Sequence, residues 1–465
     1  MASERPPIAS GFREDRDDTG AWRPGYAELF ESLAEADLSS LRHAVADHLK
    51  HRGVSFGGSP FVVDPVPRLL SGVEWDALAG GLAQRARALG RFLDDVYGEQ
   101  EIVRAGVVSA ETIGAAEGFD PRLRGRVPRP GAPAAIAGFD VVRDPGGEFL
   151  VLEDNLRTPS GYTYALAARE ALIDVLPTGG PRPRAIDPVS YELLHRALRA
   201  ATPPGVEEPL IVVLSDGPDN VAYFEHRLAA ERLGVPLVTL ADLVADRDGP
   251  LVRPDGGEPR RVDVVYRRTD EDRAHDEHGR LTAVGQALVP AWTAGRLGLV
   301  NAFGNGVADD KLMHGHVEDF VRFYLGEEPA VRSVPTESVA PERPAPEMIG
   351  RLRERVIKPR HGHGGKGVVI GAHADEDELA ELAQELERNP GRYVSQPTVT
   401  LSRHPTVIDG RLEPRHVDLR AFAFTFSDER VELIPGGLSR VALEAGAMVV
   451  NSSQQGGGKD TWVIG

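Results

Sequence analysis

The apolar positions from Trp75 to Val96 recur at intervals of three and four residues, which predicts a long amphipathic helix. Gly98 follows this pattern and marks its end. A similar spacing between residues 25 and 51 predicts two shorter helices. We therefore expect a mainly helical region over residues 23–130. The polar, proline-containing residues 1–22 are expected to form a flexible tail before it.

A different pattern begins after a proline-rich stretch near residue 204. Residues 209–243 follow the order strand, loop, helix, strand, and a third β-rich run covers residues 261–268. This alternation predicts a parallel α/β layer, which we place as a small Rossmann-like domain over residues 206–300. No GxGxxG sequence follows the first strand, so the pattern does not indicate a dinucleotide site.

Residues 134–155 predict a β-hairpin, because two β-rich runs flank the turn sequence Asp-Pro-Gly-Gly. Residues two apart on a strand share a face, so Glu153 and Asn155 point together while Asp154 points away. Asp140, on the partner strand, falls opposite or diagonal to Glu153. Two carboxylates and an amide oxygen are the donors that Mg²⁺ binds together with water and phosphate. A proton-sharing acid pair and solvated acids on an edge hairpin are the alternatives.

The stretch RVIKPRHGHGGKGVVIG at residues 355–371 predicts a strand, a glycine-rich loop and a second strand. Its lysines, Lys358 and Lys366, supply positive charge, and its glycines let backbone N–H groups approach a polyphosphate. These glycines are Gly362, Gly364, Gly365 and Gly367. It is not a Walker A loop, since Lys366 is followed by glycine and a strand. A hairpin tip with surface lysines is the alternative.

Several other basic residues lie where a cation needs an anionic partner. Lys311 is at the start of a predicted helix, where the macrodipole disfavours positive charge. Arg420 and Arg440 lie on apolar strands, where an unpaired guanidinium is costly. Lys459 ends a second predicted glycine-rich loop at residues 456–459. Arg157, next to the hairpin acids, either meets the same anion or balances their charge. Together these features favour polyphosphate chemistry.

Other polar residues have two interpretations. Arg267 and Arg268 end the third predicted strand, where they suit a carboxylate ligand or ion pairs between domains. Arg85 and Arg87 lie on the polar face of the long helix and are expected to be solvated. The HisGlyHis sequence at residues 314–316 gives its two imidazoles no shared helix face, which disfavours a metal pair.

Composition limits the class of protein. The chain has 465 residues, 41% of them hydrophobic, which is enough for two or three domains with their own cores. Its formal net charge of −18 argues against nucleic acid and a polybasic membrane contact as partners. No apolar run is long enough for a membrane span, and the first residues do not form a signal peptide. There is no cysteine. We expect a cytoplasmic protein, and an oligomer is compatible with the sequence.

Taken together, these motifs resemble the circularly permuted ATP-grasp family, proteins related to glutathionylspermidine synthetase. The matching blocks include FDVVRDPGGEFLVLEDNLRTPSGYTYAL, ADDKLMHGHVEDFVRFYLGEEP, VIKPRHGHGGKGVVIG and PGGLSRVAL with VVNSSQQGGGKDTW. The resemblance implies an α/β (α+β) ATP-grasp fold with the metal-binding hairpin early, in a first ATP-grasp segment at residues 131–205. It makes residues 206–300 the pre-ATP-grasp domain and residues 301–465 the nucleotide-binding segment.

The resemblance also implies roles for single residues. Asp140, Glu153 and Asn155 resemble the Mg²⁺ ligands of the family. The two lysines that contact ATP phosphates correspond to Lys311 and Lys358, the loop from Gly362 to Gly367 to the phosphate lid, and Gln396 to the hinge beside adenine. Arg420 and Arg440 fall where family arginines hold the γ-phosphate or an acyl phosphate. A family arginine two residues before the first metal aspartate is replaced here by Gly138, and Arg157 or Arg420 is expected to take its place.

The activity that this resemblance implies is ATP-dependent ligation of a carboxylate to an amine through an acyl phosphate. ATP and Mg²⁺ would be the cofactors, and a small-molecule or peptide carboxylate and an amine the substrates. A catalytically silent ATP-binding subunit and a small-molecule kinase are the alternatives. The sequence does not name the substrates.

Overall fold

The predicted long helix forms over residues Gly72–Val96 in the structure, a computed structural model. Its N-terminus is a capping box, in which the Ser71 hydroxyl accepts from the Glu74 backbone N–H and the Glu74 carboxylate accepts from Ser71. The structure describes residues 11–127, 132–186, 189–244, 246, 249–253, 256–339, 345–361, 367–444, 447 and 456–465.

The α-helices of the described residues are α1 (Tyr26–Ser32), α2 (Leu38–His51), α3 (Gly72–Val96), α4 (Glu101–Arg104), α5 (Ala110–Gly114), α6 (Tyr162–Val175), α7 (Val189–Ala200), α8 (Tyr223–Leu233), α9 (Ala283–Thr293), α10 (Gly306–Asp309), α11 (Lys311–His314), α12 (Val317–Phe320), α13 (Ala345–Ile349) and α14 (Glu376–Arg388). A π-helical turn, Val321–Leu325, continues α12. Within the part of the chain that the structure describes, no helix is both long and apolar enough to cross a bilayer.

The strands are β1 (Ser55–Phe56), β2 (Ser59–Pro60), β3 (Arg68–Ser71), β4 (Ile136–Arg143), β5 (Phe149–Asn155), β6 (Ile211–Ser215), β7 (Leu237–Val238), β8 (Leu251–Val252), β9 (Arg260–Arg261), β10 (Val264–Arg268), β11 (Gly298–Val300), β12 (Arg332–Ser333), β13 (Glu337–Ser338), β14 (Arg355–Pro359), β15 (Val369–Ile370), β16 (Tyr393–Pro397), β17 (Arg403–Ile408), β18 (Arg411–His416), β19 (Leu419–Thr425), β20 (Val431–Leu433), β21 (Gly437–Val441) and β22 (Gly457–Ile464).

The main sheet has the strand order β12-β5-β4-β19-β21-β22-β3, and β20 pairs with β19. It draws strands from segments more than three hundred residues apart, since β3 lies parallel to β22. Helix α3 packs on one face of this sheet, and α6 and α7 pack on the other. The sheet therefore joins the predicted first and last ATP-grasp segments, and it also includes β3, from the region predicted to be mainly helical.

Two smaller sheets flank the main one. The first is parallel with the order β11-β10-β6-β7, so the predicted Rossmann-like α/β layer is present. The second has the order β13-β16-β14-β15 and packs with α13 and α14 around its own apolar cluster. Because β14 carries Lys358 and β16 carries Gln396, this second sheet presents two of the predicted nucleotide-binding residues.

The expectation of a flexible tail over residues 1–22 is wrong for residues 11–22. This segment forms a strap along the protein. Isolated backbone β-bridges pair Arg13 with Arg403 and Arg16 with Trp22. Glu14 is buried, and its carboxylate accepts from Arg68 at 2.6 Å and from Arg143 at 3.2 Å. The local sequence is polar because its partners are buried arginines of the main sheet. Residues 1–10 lie outside the described residues.

Candidate active site

The main sheet places three charged residues in one row across adjacent strands. Asp140 on β4 is directly opposite Glu153 on β5, and its other neighbour is Arg420 on β19. Asn155 lies two residues beyond Glu153, opposite Gly138. The predicted convergence of Asp140 and Glu153 is therefore confirmed. A β-bulge between Asp140 and Val141 ends this register, so that Val141 pairs with Val151.

Two arginines bind the Asp140 carboxylate. Arg420 donates to both of its oxygens, at 2.6 and 2.8 Å, and Arg440 donates to Oδ2 at 2.8 Å. Arg440 also pairs with the buried Asp418. Burial by itself raises the pKa of Asp140, but the charges of Arg420 and Arg440 outweigh it and lower the pKa to about 2. Asp140 is therefore ionised at neutral pH.

Two lysines from distant parts of the chain approach the second acid. Lys311, the first residue of α11, places Nζ 3.2 Å from Glu153 Oε1, so the anionic partner predicted for this lysine is present. Lys358 on β14 is 9% exposed, and burial lowers its pKa to about 8 although the charge of Glu153 opposes this. Burial and the Asp140 charge raise the pKa of Glu153, but the charges of Lys311, Lys358 and Arg420 together outweigh them and the pKa is lowered. Acids of the hairpin and cations of two other elements thus share one cluster.

The opposite face of the hairpin is fixed by a buried ion pair that the sequence did not reveal. Arg85 of α3 donates to both oxygens of Asp154 at 2.6 and 2.7 Å, and His314 Nδ1 lies 2.7 Å from the same carboxylate. The expectation that Arg85 is solvated is wrong, whereas Arg87, two residues on, is partly exposed and pairs with Glu327. β-strand alternation sends Asp154 into the core, where its carboxylate needs a buried cation. That need is the sequence signal that could have predicted an ion pair at this position.

Asn301 connects the Rossmann-like sheet to the hairpin. Its Nδ2 donates to the backbone carbonyls of Ile136 and Leu156, each at 2.7 Å, and its Oδ1 accepts from the Ile136 N–H at 2.9 Å. The side chain therefore joins the start of β4 to the residue after β5. It follows β11 directly, so the position of that strand is coupled to the spacing of Asp140 and Glu153.

The sequence profile of the circularly permuted ATP-grasp type 2 family matches residues 67–442. The chain belongs to this family. Among its relatives, an uncharacterized protein of Mycobacterium tuberculosis is 42% identical over 468 residues, which cover 98% of this chain and 84% of that protein. A Frankia alni protein provisionally named a glutamate–cysteine ligase is 42% identical over 467 residues, 98% of this chain but only 54% of that protein.

A solved structure agrees with this ATP-grasp assignment at the level of fold. The apo structure of a glutathione synthetase-like effector from Globodera pallida superposes with a TM-score of 0.57. The match covers 92% of this chain and 98% of that one at 13% identity. The expected circularly permuted ATP-grasp fold is therefore confirmed.

The ATP-grasp hairpin suits a hard divalent cation that also binds phosphate. Asp140 and Glu153 are both ionised, and Asn155 donates through Nδ2 to the Gly138 carbonyl, which leaves the amide oxygen Oδ1 for a ligand. Among the described residues, no group of three or more carboxylate or imidazole side chains could hold a metal alone. Two carboxylates and one amide oxygen leave coordination positions for water and phosphate oxygens, as Mg²⁺ prefers. The residues present therefore fit Mg²⁺.

Two predicted site residues of this ATP-grasp protein are used elsewhere. Lys459 lies inside β22, fully buried, where its Nζ pairs with Asp64 and donates to the Val66 carbonyl at 2.9 Å. The prediction of a second glycine-rich loop is therefore wrong for residues 457–459, which lie in a strand, and the Lys459 ammonium group is paired with a buried carboxylate. Arg157 pairs with Asp309 at 2.9 Å and Asp272 at 3.2 Å rather than with the hairpin acids.

The remaining predicted nucleotide contacts lie around β14. Gln396 on β16 is paired with Val356, buried, and donates to the Thr336 hydroxyl at 2.8 Å. Strand register puts it on the same face as Lys358, one step diagonally along the sheet. Gly362, Gly364, Gly365 and Lys366 lie outside the described residues. Gly367 has φ +73°, and a Cβ there would lie 2.9 Å from the Pro359 ring.

Proposed function

We propose that the protein is an ATP-dependent ligase that joins a carboxylate to an amine. The observation that carries this proposal is the cluster of Asp140 and Glu153 with Lys311 and Lys358, which are distant in sequence but act on one another electrostatically. Membership of the ATP-grasp family supports a nucleotide as the ligand of this cluster. The names of the Frankia and Globodera relatives are consistent with ligation of amino-acid-type substrates.

In this mechanism the substrate carboxylate attacks the γ-phosphorus of ATP, and the bond to the β,γ-bridging oxygen breaks, giving an acyl phosphate and ADP. The amine nitrogen then attacks the acyl carbon, and inorganic phosphate leaves with the electron pair of the C–O bond. Asp140, Glu153 and Asn155 would hold Mg²⁺, which would supply positive charge against the phosphate oxygens of ATP.

The chain's own residues supply position and charge rather than a covalent nucleophile. Lys311 and Lys358 would stabilise the negative charge that develops on the transferred phosphoryl group. Arg420 and Arg440 are held by Asp140 at the edge of the same cluster and would orient the acyl phosphate. Because such groups are fixed before the reaction, little reorganisation is needed when charge moves.

The test measures ADP release from the purified full chain with ATP, Mg²⁺ and a panel of carboxylates and amines. We expect release that requires both a carboxylate and an amine, and at least a hundredfold loss in Glu153→Gln. The matched control is Glu148→Gln on the same hairpin, an exposed acid that pairs with Arg332. A stable phosphorylated product formed without amine would instead identify a kinase. ATP binding without any turnover would identify a silent subunit.

A further inference from the structure

The turn at residues 156–161, which leads from β5 to α6, lies directly against the strands of the candidate active site. A Cβ atom at Gly138 on β4 would lie 3.1 Å from the Pro159 Cβ. A Cβ atom at Gly161 would lie 3.6 Å from the Cδ atom of Arg420 on β19. Because the packing is this close, a shift of the turn would displace the Arg420 side chain.

Arg420 is also hydrogen-bonded to this turn. Its Nε and Nη2 donate to the Asp140 carboxylate at 2.6 and 2.8 Å, and its Nη1 donates to the Ser160 carbonyl at 3.1 Å. A guanidinium group is planar and its donors point in fixed directions, so the positions of its acceptors set its orientation. The Ser160 carbonyl is therefore one of the groups that orient Arg420.

A buried ion pair of the Rossmann-like layer holds the same turn. Arg268, the last residue of β10, donates to the Pro159 carbonyl and to Glu225 Oε1, each at 2.7 Å. Glu225, on α8, accepts through Oε2 from the N–H groups of Gly161 at 2.9 Å and Thr163 at 3.1 Å. The side chains of Arg268 and Glu225 are 3% and 2% exposed. The pair thus binds backbone groups on both sides of the carbonyl that orients the active-site arginine.

The start of α6 depends on this distant carboxylate. The helix begins after Gly161, which has no side chain to cap it, and its first turn contains no acidic residue. Glu225, 64 residues further along the chain, supplies the acceptor that the first N–H groups need. The next residue, His226, places Nδ1 2.9 Å from the Ser215 hydroxyl on β6, which joins α8 to the Rossmann-like sheet. The position of the turn is therefore set by tertiary contacts.

We propose that Arg268 and Glu225 are positioning residues for Arg420. They hold the turn so that the Ser160 carbonyl keeps the Arg420 guanidinium in the orientation that it would need at the acyl phosphate. The part that Arg420 plays at the acyl phosphate rests on the proposed function, whereas its coupling to Arg268 rests on the hydrogen bonds of the turn. The carboxylate that the sequence led us to expect beside Arg268 is that of Glu225.

The experiment is a double-mutant cycle between Arg268→Lys and Arg420→Lys in the full chain, assayed with ATP, Mg²⁺ and the carboxylate and amine that release most ADP. Lysine keeps the charge but lacks the planar fork that binds two acceptors. We expect Arg268→Lys to lower kcat by about tenfold or more and to change the KM for ATP by less than about twofold. In the Arg420→Lys background it should lower kcat by less than about twofold, because residue 420 then no longer depends on the turn.

The matched control is Arg169→Lys on α6. Arg169 is also buried, and it also donates to a carboxylate, that of Asp460, and to a backbone carbonyl, that of Thr461, but both partners lie on β22. We expect this variant to lower stability and to change kcat by less than about twofold with either residue at position 420. It therefore separates positioning of Arg420 from a general loss of stability.

A second measurement does not depend on activity. The urea midpoint of the Arg268→Lys and Arg420→Lys double variant should shift by less than the sum of the two single shifts, whereas the shifts of Arg169→Lys and Arg420→Lys should add. If Arg268→Lys does not fold, Glu225→Gln replaces it, since glutamine keeps an acceptor for the helix start but loses the charge that binds Arg268.

Losses of kcat that multiply in the double variant would overturn the proposal and leave the ligase standing. If no amine-dependent ADP release is found, the ligase is rejected and the urea midpoints decide: shifts that add would overturn the positioning role, and shifts that fall short of the sum would support it.

Discussion

Asp140 and Arg420 face each other across the paired strands β4 and β19, and the guanidinium donates to both carboxylate oxygens at 2.6 and 2.8 Å. Arg440 contacts the same carboxylate from β21. A residue in the expected position of a metal ligand is thus held by cations of the protein itself. This arrangement fixes its charge and its orientation before any ligand arrives.

Replacing Arg420 with glutamine should lower both stability and activity. The Asp140 carboxylate is 2% exposed, and removing one partner from a buried pair costs on the order of 3 kcal/mol in the free energy of unfolding. Urea unfolding followed by circular dichroism measures this loss. Arg430→Gln is the control, because Arg430 is more than half exposed and its ion pairs are long. Equal stability of the two variants would show that Arg440 alone is sufficient to stabilise the buried Asp140 carboxylate.

Acid should weaken the fold through Asp140. Its pKa is about 2 in the folded protein and about 4 in an unfolded chain, so the folded state binds fewer protons between these values. The stabilisation that Asp140 contributes is therefore complete above about pH 4 and is lost as the pH falls towards 2. Urea midpoints measured from pH 5 to pH 2 should fall less steeply in Asp140→Asn. An identical slope would contradict the low pKa.

The buried ion pair between Arg85 and Asp154 should contribute more to stability than the exposed ion pair that Arg87 makes on the same helix. Arg85→Met leaves Asp154 buried with His314 alone, and we expect a loss of about 3–5 kcal/mol in the free energy of unfolding. Arg87→Met removes a partly exposed pair with Glu327 and should cost less than about 1 kcal/mol. Thermal unfolding compares the two. The same result for both variants would show that the Arg85 pair makes no special contribution.

Nucleotide affinity should fall as the pH rises through about 8. Burial lowers the pKa of Lys358 to about 8, so its ammonium group loses its charge above that pH and attracts phosphate less. ATP dissociation constants from pH 7 to pH 9.5 test this, with up to a tenfold rise per pH unit expected above pH 8. In Lys358→Arg the side chain stays charged throughout, and the rise should disappear. A wild-type constant that does not change over this range would rule out Lys358 as a phosphate ligand.

The N-terminal strap should be necessary for full stability. Glu14 is the buried partner of both Arg68 and Arg143, so Glu14→Gln leaves two guanidinium groups with weaker acceptors. We expect a loss of about 3 kcal/mol or more in the free energy of unfolding. Asp18→Asn, an exposed change on the same strap, should have an effect within about 0.5 kcal/mol. Hydrogen exchange of the Glu14 amide, which donates to the Arg403 carbonyl, reports whether the strap itself detaches.

Local patterns in the sequence were sufficient to predict how the hairpin acids are placed relative to one another. Strand periodicity of two assigned Glu153 and Asn155 to one face and Asp154 to the other, and the turn sequence brought Asp140 opposite Glu153. The start of α11 similarly required an anion for Lys311, and Glu153 supplies it. Such predictions succeed because each depends only on geometry within one element or one turn.

Partners that are distant in sequence could not be predicted in this way. Glu14, Arg85 and Lys459 have polar local contexts, and their partners are 54 to 395 residues away. The glycines before Lys459 suggested a loop, but a Cβ at Gly458 would lie 2.9 Å from the Phe61 ring. Here glycine allows an aromatic ring to pack on a strand. The local composition does not distinguish a glycine that makes room for an aromatic ring from a glycine in a flexible loop.

Because Asp140 and Glu153 are already bound by Arg420, Arg440 and Lys311, the proposed nucleotide site is a set of internal ion pairs before any ligand binds. In the proposed function, an incoming triphosphate would compete with the acids for these cations, and a divalent ion would compete with the cations for the acids. Each ligand would then free the groups that the other needs. Nucleotide and metal ion should consequently bind as a pair, so that the affinity measured for one rises steeply with the concentration of the other.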